Sequence, residues 1–222
     1  MRTEKPRDRF REVLKRGPYL FHVHTTLTDG QNTLGEYVAA AKRLGFQSLI
    51  VTEHIRRKPT YEFSALLDDA KVFQTELTIL VGVEAKVMIG GAIDVPLEIL
   101  PKLDVLGIAE HSFPGNAFDL ADALKNVFRD LRHAPFTRVW LHPGNGLLKK
   151  GATENLLKEV LQVALDLGVY IEENLRYRLP PKPLTQSIPR SRKVVGIDAH
   201  SVKEVEHFAA EVQLRLEAGG EL

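Results

Sequence analysis

Seven short apolar runs punctuate the chain, and each closes on a histidine or a carboxylate. They read Tyr-Leu-Phe-His22-Val-His24, Ser-Leu-Ile-Val-Thr-Glu-His54, Ile-Leu-Val-Gly-Val-Glu84, Val-Leu-Gly-Ile-Ala-Glu-His111, Arg-Val-Trp-Leu-His142, Gly-Val-Tyr-Ile-Glu172-Glu173-Asn174 and Val-Val-Gly-Ile-Asp198-Ala-His200. From His24 to His54 is 30 residues and from His54 to Glu84 another 30; the steps on to His111, His142, Glu173 and His200 are 27, 31, 31 and 27. Near-continuous apolar runs suit strands covered on both faces. A strand, its helix and two loops need about 30 residues. The spacing therefore predicts an α/β barrel of parallel strands, with one polar group delivered to the same end of each strand, where barrel chemistry is found.

The segments between the runs carry helical periodicity. Thr33-Leu-Gly-Glu36 is a capping-box start, followed by the stripe Tyr37, Ala40, Ala41 and Leu44 and by Gly45 as a stop. A second helix is expected over 61–77, on Phe63, Leu66, Leu67, Ala70 and Phe73, with further helices at about 118–132, 154–167 and 201–218. The third connection differs: Lys86 through Val95 reads as a β-hairpin on the Gly90-Gly91 turn, with a short helix after Pro96. Residues 1–18 form a lead-in helix, a cap over the barrel bottom, with Phe10, Val13 and Leu14 on one face. Residues 179–191 are proline-rich and predict a long irregular loop beside the active site. No linker interrupts the pattern, so one domain over 1–222 is expected.

Composition narrows the chemistry. The chain has no cysteine, which removes disulfides, thiolate metal sites and a thiol nucleophile. A bound metal must then be held by nitrogen and oxygen, which suits zinc, manganese, iron or magnesium. A net charge of +1 gives no global field for nucleic acid. No run reaches the ~18 apolar residues of a membrane span, and the charged N-terminus lacks the apolar core of a secretory signal, so a cytoplasmic protein is expected.

Of the eight histidines, six (His22, His24, His54, His111, His142 and His200) end apolar runs. Scattered structural histidines would not choose that position repeatedly; His133 and His207 lie in helical stretches and read as ordinary surface groups. His22 and His24 alternate with Phe21 and Val23, so strand geometry is expected to point both imidazoles one way and both apolar residues the other. Glu84 ends a fully apolar strand, where an unpaired carboxylate is costly and a pair of bridged cations would remove the cost. Asp198 and His200 repeat the pairing at the last strand, next to His22 and His24 if the barrel closes.

These residues resemble the PHP (polymerase and histidinol phosphatase) superfamily. His22-x-His24 with Thr28-Asp29-Gly30, Thr52-Glu53-His54, Gly82-Val83-Glu84, Glu110-His111-Ser112, His142-Pro143-Gly144 and Gly196-Ile197-Asp198-Ala199-His200-Ser201 match its successive motifs from residue 20 to 201. Two positions depart from the pattern: Glu53 stands where Asp is common and Ile197 where Ser is common. The resemblance implies a distorted seven-stranded β/α barrel with three divalent metal ions. It implies one ion on His22, His24, Glu84 and Asp198, one on Glu84, His111 and His142, and one on Asp29, His54 and His200. A hydroxide shared by the first two ions is the natural nucleophile, which puts Glu84, His111 and Asp198 at the reacting centre. Arg56, Arg57 and Arg176 are candidate phosphate clamps, because guanidinium forks suit phosphoryl oxygens, with Lys58, Lys86 and Arg178 behind them. The expected activity is a metal-dependent phosphoesterase acting on a small phosphomonoester. A nuclease or oligonucleotide phosphodiesterase is the alternative, and C–N hydrolysis of the amidohydrolase type is the third reading. Near-neutral charge and the lack of a second domain favour the small substrate over nucleic acid.

Overall fold

The computed structural model describes residues 5–218. Its seven strands are β1 (Tyr19–Val23), β2 (Ser48–His54), β3 (Thr78–Lys86), β4 (Val105–Ala109), β5 (Thr137–Trp140), β6 (Tyr170–Asn174) and β7 (Lys193–Gly196). They form one parallel sheet in sequence order. The ends of the sheet meet through a single bridge, Val23 to Ala199, where His24 N donates to Ala199 O and Ala199 N to His22 O, both at 2.9 Å. The result is a nearly closed seven-stranded α/β barrel with every strand's carboxyl end on one rim.

Alternation along the strands sorts two layers of apolar residues. Tyr19, Phe21, Ile50, Leu80, Val105, Val139, Leu141, Tyr170 and Val194 fill the interior. The intervening positions, among them Leu20, Leu49, Val81, Leu106 and Ile171, pack outward against the helices. The lead-in helix α1 (Pro6–Arg16) plugs the bottom of that interior. Phe10 and Val13 join the inner cluster, Phe10 meeting the Tyr170 ring edge-on at 5.1 Å between centroids. Arg9 anchors α1 to buried Asp104 at 2.5 Å. Phe10→Ala is expected to destabilise the fold by about 3–5 kcal/mol, read from urea unfolding; an unchanged midpoint would show that α1 is only an appendage.

The expected helix starts are observed. Full capping boxes open α2 (Leu34–Arg43) at Thr33 and Glu36, α4 (Ala117–Asp130) at Asn116 and Asp119, and α8 (Val202–Glu217) at Ser201 and Glu204. Between these lie α3 (Phe63–Phe73), shorter than the expected 61–77, and α6 (Glu154–Asp166). A five-residue helix α5 (Asn145–Lys149) was not anticipated.

Two expectations fail. Residues 86–95 are not a hairpin: one antiparallel bridge joins Val87 to Ile93 around a 3₁₀ turn at Ile89–Gly91. Val87 N is already committed to Ala109 O, and Gly90 and Gly91, at φ 77° and 98°, turn the chain onto α4 rather than into a second strand. Gly91 lies so close to α4 that a Cβ there would fall 2.6 Å from that of Asn126. Residues 179–191 are not irregular throughout, because α7 spans Lys182–Ser187. Pro183 falls in its first turn, where the missing N–H would have had no partner.

Candidate metal centre at the barrel rim

The first strand does not deliver its histidines by plain alternation. Phe21 faces the interior and Val23 the helices, so Phe21 and Val23 do not share a side as the alternating pattern predicts. Uninterrupted pleating would turn His22 outward with Leu20. A bulge prevents this: Phe21 pairs with Ile50 and Val23 with Val51, leaving His22 as an extra residue at φ 68°. His22 and His24 both enter the rim, and both are fully buried. His142 at φ 29° and Asp198 at φ 49° also hold left-handed backbone. Such conformations cost about 1–3 kcal/mol each for non-glycine residues and gather where a site demands them.

Three donor clusters result, sharing members. His22, His24, Glu84 and Asp198 are one; Glu84, His111 and His142 another; His24, Asp29, His54 and His200 the third. His22 Nε2 lies 3.2 Å from Glu84 Oε2 and 3.3 Å from Asp198 Oδ1; for His24 Nε2 the same distances are 3.2 and 3.1 Å. The other Glu84 oxygen meets His142 Nε2 at 3.1 Å and His111 Nε2. Asp29 Oδ2 lies 3.3 Å from His54 Nε2 and 3.4 Å from His200 Nε2. Two donors each about 2.0–2.2 Å from one ion lie roughly 3–3.4 Å from one another, so this spacing suits shared cations. Hydrogen-bond accounting agrees. His22 Nδ1 donates to Glu172 Oε1 at 2.7 Å, turning the Nε2 lone pair toward two carboxylates. Both ring nitrogens of His24, with Nδ1 of His54 and His142, are buried and find no hydrogen-bond partner. A cation between the donors resolves both conflicts.

Protonation shifts report the same imbalance. Burial opposes a charge on His22, yet the Glu172 and Asp198 carboxylates raise it well above its ordinary value. For His24, burial is again outweighed, here by the Asp198 and Glu84 carboxylates beside it, and it is pushed up to about 9. Burial pulls His54 the other way, to about 4. Burial pushes Glu84 up, but the His111, His142, His22 and His24 imidazoles around its oxygens hold it well below the usual carboxylate range.

A second layer of buried carboxylates orients the first. Glu172 receives His22 Nδ1 and, at 2.5 Å, His142 N. Glu53 accepts from Thr25 N at 2.7 Å and from the Thr28 hydroxyl, fixing the loop that carries Asp29. Glu110 accepts from Trp140 Nε1, Gly144 N and Leu147 N at 2.7–2.8 Å, fixing the turn that carries His142. Burial raises the Glu53 and Glu110 carboxyls despite these donors. Gly196 makes room for Glu172: a Cβ there would fall 2.0 Å from Glu172 Oε1. These supporting roles were missed in the sequence reading; the signal was a carboxylate placed one residue before a run-ending histidine (Glu53, Glu110) or within the sixth run (Glu172).

The arginine candidates separate. Arg176 reaches the rim, its Nη1 2.6 Å from Asp198 O and 3.1 Å from His200 Nδ1, with Glu204 at 3.3 Å from Nη2. Arg56 is turned to Asp94 at 3.1 Å. Arg57 is exposed beyond His54. Tyr177, which the sequence reading passed over, stands 41% exposed; its ring lies 5.9 Å from that of His142, and the Asp198 charge acts on its hydroxyl. His133 and His207 are exposed and outside the site.

The barrel resembles solved hydrolase structures across nearly its whole length. A histidinol phosphate phosphatase from Lactococcus lactis, solved with zinc, L-histidinol and phosphate, superposes with a TM-score of 0.56 at 12% identity, covering 92% of this chain and 94% of that one. A probable 2-pyrone-4,6-dicarboxylic acid hydrolase from Acinetobacter baumannii, with citric acid bound, gives 0.51 at 11% identity, covering 91% and 92%. At such identities the likeness is one of fold. No curated protein sequence matches significantly. The PHP domain model does match, over residues 21–113, a span that carries the bulged His22-x-His24 strand, the Asp29 loop, His54, Glu84 and His111. Family match and barrel geometry thus meet on the same rim: over residues 21–113 the chain is similar to the PHP domain family.

Proposed function

We propose that this protein is a metal-dependent phosphoesterase that hydrolyses a small phosphomonoester. The observation that carries the reading is Glu84, whose two oxygens each face a separate set of imidazoles. One carboxylate that joins two donor sets suits a pair of cations held side by side. His22, His24 and Asp198 would complete the first position, His111 and His142 the second, and His24, Asp29, His54 and His200 a third. Divalent ions held this way supply acidified water and neutralise charge on phosphoryl oxygens. The phosphatase solved with zinc, histidinol and phosphate supports a phosphate ester over the C–N bond of an amidohydrolase, and so does the bridging glutamate.

The chain's own groups would bind and orient the ester. Asp29, His111, His200 and His54 keep 53%, 34%, 24% and 16% side-chain exposure beside fully buried His22 and His24, so substrate approaches over these donors. Arg176, braced by Asp198 O and Glu204, retains guanidinium donors for phosphoryl oxygens. Burial raises the Tyr177 hydroxyl above its ordinary range, ahead of the Asp198 charge, so it stays protonated as a donor.

The test is a side-by-side assay of the metal-loaded protein on phosphomonoesters and on single-stranded oligonucleotides. Phosphate release from monoesters with negligible oligonucleotide cleavage is expected; the reverse result would assign a nuclease. Arg176→Ala is expected to raise KM for the monoester about tenfold or more, the worth of one charge-assisted hydrogen bond, with little change in metal content. Equal kinetics in that variant would return the clamp to Arg56 or Arg57.

A further inference from the structure

Opposite the rim, five arginines converge on a cleft at the barrel bottom. A 160 Å³ hollow is walled by Arg7, Arg11, Arg132, Arg138 and Arg192, and no carboxylate among the described residues lines it. Its floor is Arg138, 5% exposed, the second residue of β5. Metal-type donors sit at the other ends of the strands: His142 is four residues on from Arg138, about 13 Å at ~3.3 Å each, with the Phe10 plug between.

The guanidinium groups are held in place but not neutralised. Arg138 donates to Phe128 O at 2.8 Å and Leu167 O at 2.5 Å, Arg192 to Gly168 O at 3.3 Å, Arg7 to Phe136 O at 3.1 Å and Arg132 O at 3.2 Å, and Arg132 to Arg129 O at 3.0 Å. None of these four makes an ion pair among the described residues; Arg11 alone has an acid nearby, Asp8 at 3.9 Å. Most of the accepting carbonyls belong to the C-terminal ends of α4 and α6, each worth about −0.5 elementary charge. Roughly one unit of negative charge thus faces four of positive. Burial, followed by repulsion from Arg7 and Arg192, pulls Arg138 down to about 10. The whole chain carries only +1, so the excess is local. A buried charge without a counter-charge is costly, and an external anion would relieve it.

We propose that this cleft is a second ligand site, for the phosphoryl group of a small organic phosphate. Arg11, Tyr170 and Arg192 are shared with a neighbouring 390 Å³ cavity that also has Leu14, Tyr19 and Leu216 in its wall. That volume and mixed lining suit the body of a small ligand. The guanidinium forks, fixed by backbone carbonyls, suit phosphoryl oxygens. A concave site built from α1, the turns after α4 and α6, the starts of β5 and β6 and the turn before β7 takes a compact anion better than an extended nucleic-acid backbone. The inference stands apart from the hydrolase reading, because it uses none of the rim residues.

Calorimetric titration of the metal-loaded protein with methylenediphosphonate, in about 0.15 M salt to screen loose surface contacts, tests it. Two binding events are expected. Arg132→Gln with Arg192→Gln should weaken one of them at least tenfold, as expected for lost hydrogen bonds to a charged group, and leave kcat on phosphomonoesters unchanged. Asp198→Asn should retain that event and disturb the other. If the double variant does not fold, exposed Arg132→Gln alone should still weaken the event about tenfold. Identical titrations of wild type and arginine variants would overturn the proposal. So would arginine-dependent binding of a single-stranded oligonucleotide with no binding of the diphosphonate, which would make the cleft a nucleic-acid surface.

Discussion

Glu84→Ala is expected to strip two metals from the protein at once and leave the third. Glu84 is 1% exposed, and its two oxygens lie within 3.2 Å of four imidazoles, His22 and His24 on one and His111 and His142 on the other, with His54 Nδ1 farther off at 3.7 Å. Both of those donor sets lose their shared anion in the variant, whereas His24, Asp29, His54 and His200 keep theirs. Phosphatase activity should fall by more than the ~10–100-fold seen when even a supporting residue of a metal site is lost. Glu84→Gln separates bridging from packing. It keeps the side-chain volume but replaces one donor oxygen with an amide that cannot ligate, so one metal should survive where alanine leaves neither. Elemental analysis of the purified variants decides the matter. Full metal content in Glu84→Ala would show that Glu84 does not bridge.

Gly196→Ala is expected to damage the same site without touching any metal donor. The added methyl would lie 2.0 Å from Glu172 Oε1, so the carboxylate must leave its slot. His22 Nδ1 then loses the acceptor that turns its Nε2 inward, and His142 N loses the one that holds its left-handed turn. The strain of an overfilled core adds about 1–3 kcal/mol of destabilisation, and metal affinity should drop about 10–100-fold. Glu172→Gln should reproduce part of the affinity loss with little strain, because one oxygen remains an acceptor. Metal titration alongside thermal unfolding separates the two contributions. Wild-type affinity in Gly196→Ala would show that Glu172 does not orient the histidines.

The placement of donors shows how far a linear pattern reaches. A histidine that closes an apolar run is a local signal, since strand burial and strand end both come from neighbouring residues. That signal located His54, Glu84, His111, His142 and Asp198 on one rim. It misjudged β1, where alternation assigns His22 and Phe21 to opposite faces and the structure gives them the same one. The bulge that reverses His22 depends on its pairing with β2 and on the closing contacts with Ala199, and no periodicity encodes those. Prolines misled for a similar reason. Pro183 forbids a helix interior but is at home in a first turn, and where the first turn falls is set by how the chain descends from β6 to β7.

Strand number, parallel order, most helix starts and the strand-end placement of the histidines followed from the sequence alone, because each is read from local patterns that recur about every 30 residues. Tertiary structure alone decided which carboxylates support the donors, how α1 seals the barrel, and where the arginines gather. Glu172 and His22 are 150 positions apart, and Arg7 meets Arg132 across 125. Such contacts arise only when the sheet curls until its first and last strands touch, a property of the whole closed barrel and not of any stretch of it.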